Sequence, residues 1–331
     1  MYPQRRMRRL RKRTLQPLFR ETVLQLTDLV APLFIDETAS GKIPIGSMPG
    51  QYRYPPGEIA LHVQSLYNAG IRAVLIFGIP TKKDEEASES YARSGVIQNA
   101  VRSIKGLVPG MTVITDVCAC EYTSHGHCGV LRHGLCGTDL DNDASLLLMN
   151  RIAVSHAEAG ADIVAPSCML DGMVHSIRAA LDESGYQEIA VMSYSTKFAS
   201  ALYGPFREAA DSGFSFGDRS TYQMDPANAR EAFLESQLDA KEGADILMVK
   251  PAGNYLDVLF SICSIGLPVA AYQVSGEYSQ IKAAAERGWI NEKAVALEAL
   301  TCIKRAGADL IITYFAMDAA RWLSEKSEGH P

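Results

Sequence analysis

One phrase recurs along the chain and restricts its possible folds more than any other feature. It reads NAGIRAVLIFG at 68–78, EAGADIVAPS at 158–167, KEGADILMVK at 241–250 and RAGADLIITY at 305–314. In each copy, polar helix-forming residues lead to a glycine suited to a helix C-terminus. An apolar, β-branched run follows, as expected of a strand buried on both faces. Four further runs fit the same scheme: LVAPLFI at 29–35, MTVITDV at 111–117, EIAVMSY at 188–194 and LPVAAYQV at 267–274. Helical patterns lie between most of them, among them 57–69, 143–159, 171–184, 226–242 and 276–305. Strands alternating with helices imply parallel pairing through right-handed crossovers. Eight of them favour a closed α/β architecture, the (β/α)8 TIM barrel, over an open doubly wound sheet. No GxGxxG motif follows an early strand, which argues against a dinucleotide fold. Residues 26–331 therefore read as one catalytic barrel, and 47% hydrophobic content is enough for its core.

Residues 1–25 read as an N-terminal arm for subunit assembly. The first 13 hold seven basic residues and no acid, whereas the rest of the chain holds 25 bases against 38 acids. A basic arm beside an acidic body favours contact with another copy over nucleic-acid binding. No apolar run is long enough to span a bilayer, so no membrane partner is expected. No apolar signal core follows the start. Seven cysteines in such a chain point to a reducing, cytoplasmic setting, where thiols serve as packing, ligands or nucleophiles.

In a barrel, chemistry gathers where strands give way to loops. Those positions carry Asp116, Ser167, Lys197, Lys250, Ser275 and Tyr314. Lys250 ends a buried strand, where desolvation disfavours its ammonium form and leaves an amine able to attack a ketone or aldehyde. Lys197 follows the preceding strand. Neighbouring strands lie about 5 Å apart, so each lysine is expected to depress the pKa of the other. A phosphate or carboxylate anchor, or a salt-bridged core lysine, is the plainer role for either one alone. The loop DVCACEYTSHGHCG brings Cys118, Cys120 and Cys128 together as C-x-C-x7-C. Three thiolates can close around one borderline cation such as Zn²⁺ and leave a coordination position open. His125 and His127 are candidate ligands or supporting donors. Cys136 and His133 follow in VLRHGLCGTDLDNDAS, while Cys168, Cys263 and Cys302 read as packing thiols. The Gly- and Ser-rich stretch 203–223 is long for a βα loop and reads as a lid. Its Arg207 and Arg219 could clamp an acidic substrate.

The stretches TSHGHCG, APSCMLDG, MSYSTKFASALYGPFREA, MVKPAGNYLD, AYQVSGEY and IKRAGADLIITYF resemble the porphobilinogen synthase (5-aminolevulinate dehydratase) family, from the arm to about Ala319. That resemblance implies a TIM barrel with an extended arm that embraces a neighbour in a homo-oligomer, commonly an octamer. It implies condensation of two 5-aminolevulinate molecules to porphobilinogen with loss of two waters, a lyase step of tetrapyrrole (heme) biosynthesis. By the same resemblance Lys250 would bind the first substrate as a Schiff base, with Ser275 and Tyr314 on its carboxylate. Lys197 would bind the second, with Arg207, Arg219 and Gln223 on that carboxylate. Tyr203, Phe206 and Tyr272 would wall the pocket, and Asp116 and Ser167 would face the first substrate's amine. With all three cysteines in place, the chain resembles the zinc-dependent branch. The resemblance also implies an allosteric Mg²⁺ near Glu235, with Arg11 of a neighbour's arm close by. The alternatives are a class I aldolase, which needs one lysine and no cysteine loop, and a nucleic-acid scaffold using the basic arm.

Overall fold

The computed structural model describes residues 6–134, 137–213 and 219–328. Eight strands run parallel in one sheet: β1 (Leu29–Asp36), β2 (Ala73–Ile79), β3 (Thr112–Val117), β4 (Ile163–Pro166), β5 (Ala190–Lys197), β6 (Ile246–Lys250), β7 (Val269–Gln273) and β8 (Leu310–Thr313). Strands consecutive in sequence are neighbours in space. The sheet closes where β8 pairs with β1, Leu29 opposite Ile311 and Val30 opposite Ile312. This is the expected (β/α)8 barrel, and each of the eight predicted runs supplies its strand.

The recurring phrase works as its glycines suggested. Gly70, Gly160, Gly243 and Gly307 all take positive φ, between 99° and 116°. A Cβ is strained in that left-handed region, so glycine is what lets each helix stop and turn into the next strand. Three copies contain a second device that the pattern did not announce. Asp162, Asp245 and Asp309 each stand one residue before a strand. Their carboxylates accept the backbone N–H of Val113, Val191 and Val269 at 2.7, 2.8 and 2.9 Å. Their own N–H groups donate back to the carbonyls of the same three valines. Each aspartate thus locks the N-terminal end of its strand to the strand before, on the face of the barrel opposite the chemistry.

Helices cover the outside with one apolar face each. In Val96–Leu107, the residues Val96, Ile97, Ala100, Val101 and Ile104 are buried at helical spacing. Fully burying a branched side chain stabilises by about 2 kcal/mol. The stretch 276–305, read as one helix, is two: Ser275–Glu286 and Glu292–Arg305. Gly288, with φ at 70°, ends the first. Asn291 caps the second by accepting the N–H of Ala294 at 2.9 Å. The segment after the cysteine loop forms a small antiparallel hairpin, Leu131–Gly134 with Gly137–Leu140. Cys136 and the His133 side chain lie outside the described residues, as do 1–5 of the arm and 214–218 of the lid.

The arm from residue 6 onward holds a short helix, Arg6–Leu10, and a 3-10 turn, Gln16–Phe19. Met7, Leu18, Phe19 and Val23 are exposed. Among the described residues, no helix is long and apolar enough to cross a membrane.

Candidate active site

The C-terminal ends of β3 to β8 meet at one mouth. β5 and β6 end in register, with Lys197 directly opposite Lys250. Both lysines are buried, at 6% and 5% exposure. The sequence places them on adjacent strand ends, and the sheet makes them partners in a single rung.

Their surroundings differ. Lys250 Nζ sits among aromatic faces: Tyr272 at 4.2 Å, Tyr194 at 4.9 Å, Phe206 at 5.0 Å and Tyr203 at 5.5 Å to the ring centres. Burial, then the charge of Lys197, push its pKa down to about 7 against the pull of Asp116. Lys197 Nζ donates to the Ser167 carbonyl at 2.6 Å. Burial works against its charge too, but negative charge at Cys128, Cys118 and Asp116 outweighs it and holds the pKa above the ordinary lysine value. The expected net depression thus appears at Lys250, whereas at Lys197 the net direction is upward. For Lys197 the correction comes from the cysteine loop, which is close enough to set the sign.

Asp116, on β3, accepts the Ser167 hydroxyl at 3.1 Å. Burial pushes its carboxyl upward, and Lys197 and Lys250 pull it back. Tyr203 donates its hydroxyl to the Lys250 carbonyl at 3.3 Å. The Tyr272 and Tyr314 hydroxyls lie 3.1 Å apart. Ser275 Oγ accepts the Phe206 N–H at 3.0 Å, which ties the start of one helix to the lid. Phe206 in turn packs edge-on against Phe77, 5.1 Å between ring centres.

The described part of the stretch expected to form a lid is more regular than its composition suggested. It opens with a 3-10 turn, Ala201–Tyr203, and a short helix, Gly204–Ala209. Arg53 donates to the Glu208 and Ala209 carbonyls, and Glu208 accepts the Gly46 N–H. Arg207 is half-buried on that helix. Arg219 is buried and donates to the carbonyls of Gly126, at 2.9 Å, and Ser212, at 3.0 Å. It therefore ties the lid to the cysteine loop. Gln223 is buried too, and its Nε2 finds no hydrogen-bond partner among the described residues, which leaves a donor for a ligand.

The three thiols converge. Cys118, Cys120 and Cys128 are buried, and their sulfurs all lie within 4.8 Å of one another. Hydrogen bonds from Cys118 and Cys120 draw the Cys128 thiol well below its usual range. Cys120 is driven well up by its contacts with Cys118 and Cys128. Cys118 goes up as well: its contact with Cys120 lowers it, but contacts with Cys128 and Cys168 prevail. Crowding thus sets the three thiols against one another, one drawn down and two driven up. A dication would let all three ionise, so the donor set fits a thiophilic metal such as zinc. His125 and His127 do not join this set. Instead His127 Nδ1 lies 3.3 Å from the Tyr222 hydroxyl, which reaches Cys128 Sγ at 3.8 Å. Glu121, which no motif in the sequence marks, is 3% exposed and shares a second candidate ligand group with Asp116 and Cys118. Burial, then the charge of Asp116, push it up to about 7. Its one signal in the sequence is an acid within the otherwise apolar run VCACEY.

Glu235 lies on the helix Ala229–Glu242. It lines a cavity of about 480 Å³ together with Asp139, Asp171, Asp225 and Glu231. Burial, then the charges of Asp239 and Asp171, push its carboxyl up to about 7. Arg11 of the same chain is exposed on the arm.

A family model described as delta-aminolevulinic acid dehydratase matches residues 4–322. The chain belongs to that family. The delta-aminolevulinic acid dehydratase of Archaeoglobus fulgidus is 53% identical over 323 residues, covering 97% of this chain and 99% of the relative. That of Bacillus subtilis (strain 168) is 49% identical over 322 residues, covering 97% and 98%. Among solved structures, the delta-aminolevulinic acid dehydratase (porphobilinogen synthase) of Toxoplasma gondii ME49, in complex with the reaction product porphobilinogen, is 41% identical. It superimposes with a TM-score of 0.94 over 99% of this chain and 93% of that one. The delta-aminolevulinic acid dehydratase family thus covers both the barrel and most of the arm.

Proposed function

We propose that the mouth of this barrel joins two 5-aminolevulinate molecules while each is held covalently by its own lysine. The reaction is that of a porphobilinogen synthase, a hydro-lyase of heme biosynthesis: two substrates give porphobilinogen and two waters. The observation that carries the two-lysine reading is the rung formed by Lys197 and Lys250, both buried, one beside the aromatic box and one beside the thiols.

Lys250 takes the first substrate. With its pKa near 7, about half of it is neutral at neutral pH. The amine attacks the keto carbon, and loss of water gives a Schiff base. When that base is protonated, the faces of Tyr272, Tyr194, Phe206 and Tyr203 stabilise its positive charge. Ser275 and Tyr314 hold the first carboxylate, and Asp116 and Ser167 face the first amine. Lys197 takes the second substrate. Charged at rest, it must give up a proton, and Asp116 is the nearby carboxylate whose charge it feels. Arg207, Arg219 and Gln223 hold the second carboxylate beneath the lid.

Cys118, Cys120 and Cys128 would hold Zn²⁺, which when bound supplies a Lewis acid or acidifies a water beside the second substrate. The crowded carboxylates around Glu235 support a Mg²⁺ site that relieves their repulsion. The exposed apolar side chains of the arm support its role in subunit assembly, and the resemblance to the family carries the expectation of an octamer. A colour assay for the pyrrole, run on 5-aminolevulinate with and without a chelator, tests the function. Pyrrole should form, stop with the chelator and return with Zn²⁺. Full activity in metal-free protein would refute the zinc assignment, and no pyrrole under any condition would refute the function.

A further inference from the structure

A fourth buried sulfur lies against the three-thiol group. Cys168 Sγ is 3.6 Å from Cys118 Sγ and 3.5 Å from the Met149 thioether. Cys168 is fully buried and follows β4, as Cys118 follows β3. These strand ends are fixed side by side. Val117 stands opposite Pro166, and the Ser167 N–H donates to the Val117 carbonyl at 3.2 Å. The mechanism has no use for Cys168.

We infer that Cys168 is the resolving thiol of a peroxide-sensitive pair with Cys118. Cys118 is buried, but its sulfur lies within 4.8 Å of the Asp116 carboxylate at the end of β3, so a small peroxide that enters the site meets it. In the first step the Cys118 sulfur attacks a peroxide oxygen. An S–O bond forms, the O–O bond breaks, and hydroxide leaves and takes up a proton as water. In the second step the Cys168 sulfur attacks the sulfenic sulfur. An S–S bond forms, the S–O bond breaks, and the departing hydroxide takes the Cys168 proton as a second water. Two thiols lose two electrons and two protons, and one peroxide becomes two waters. A disulfide needs about 2.05 Å between sulfurs, so the pair must close by roughly 1.5 Å, within reach of side-chain rotation. The linked state recovers with a dithiol. Without a resolving thiol, the sulfenic acid goes on to a sulfinic acid that does not recover. Oxidation of Cys118 would also take away one of the three proposed zinc ligands, so metal should leave as the link forms. That readout rests on the zinc reading, whereas the disulfide readout does not.

The sequence makes the test direct. Cleavage at Lys and Arg puts Cys118, Cys120 and Cys128 on the peptide 106–132, and Cys168 on 152–178. The full-length metal-loaded protein is treated with graded hydrogen peroxide and mapped by mass spectrometry. A linkage between the two peptides, fragmenting to Cys118 and Cys168, is expected, with zinc release in step and activity regained after dithiothreitol. Cys118 and Cys120 sulfurs are also close, at 3.2 Å. A link confined to 106–132, or sulfinic acid at Cys118 with Cys168 still reduced, would overturn the inference. Cross-linking without zinc release would leave the pair standing and count against the metal reading instead. Cys168→Ser should keep basal activity and metal content but lose most of the dithiothreitol-recoverable activity. Full recovery in that variant would also overturn the inference. Cys168→Ala gives the same comparison if the serine variant does not fold.

Discussion

Removing the charge of Lys197 should raise the pKa of Lys250, and the size of the effect can be worked from the barrel. The two residues share a rung of β5 and β6. With their ammonium groups taken as about 6 Å apart and an effective dielectric constant of about 20, the repulsion is about 2.8 kcal/mol. That corresponds to roughly two pH units. Lys250 titrates near 7 because burial and Lys197 both disfavour its charge. Lys197→Met keeps the bulk and removes the repulsion, so Lys250 should titrate near about 9. At pH 7 its neutral fraction then falls from about half to about 1%, and its attack on a ketone slows roughly fiftyfold. The assay is borohydride trapping of levulinate, a keto acid with no amine of its own to titrate, quantified on Lys250 by mass mapping across pH. Wild type should show its midpoint near pH 7, and the variant about two units later with a similar plateau. An unchanged midpoint in Lys197→Met, or a wild-type midpoint near 10, would refute the coupling.

Three other outcomes follow from separate parts of the molecule. Tyr222→Phe removes the hydroxyl that reaches Cys128 Sγ. Zinc affinity should weaken by about tenfold in a competition titration with a chromogenic chelator. Asp245→Ala removes the acceptor for the Val191 N–H at the opposite end of the barrel. It should cost about 1 kcal/mol and lower Tm by about 2 °C, with kcat unchanged. Deleting residues 1–13 should lower the oligomer mass in light scattering while the barrel keeps its circular-dichroism spectrum, and an unchanged mass would contradict the assembly role of the arm.

The readable parts of this fold are those with a single physical solution. A glycine that must take positive φ, as Gly160 and Gly243 do, is visible because no other residue is comfortable there. Strands buried on both faces show as unbroken apolar runs, and the barrel follows from counting them. Lys197 and Lys250 stand out because a charge ending such a run is expensive unless it has a purpose. Other features depend on distance through space. Asp162, Asp245 and Asp309 look like turn residues until the neighbouring valine N–H is placed beside them. The upward direction at Lys197 comes from a loop about 70 residues earlier in the chain. Glu121 is an ordinary loop acid until the fold buries it against Asp116 and Cys118. Arg219 reads as a lid clamp, and its backbone bonds to the cysteine loop add a second job. The break at Gly288 was hidden because helical periodicity continues on both sides of it.

The most direct test of the central claim is the adduct count at saturating 5-aminolevulinate. The substrate is mixed with enzyme, reduced with borohydride within the first turnover and mapped. Adducts on both Lys250 and Lys197 are predicted, with Lys250 filling first because its amine is the neutral one. Labelling of only one of the two lysines, or of neither, would contradict the account.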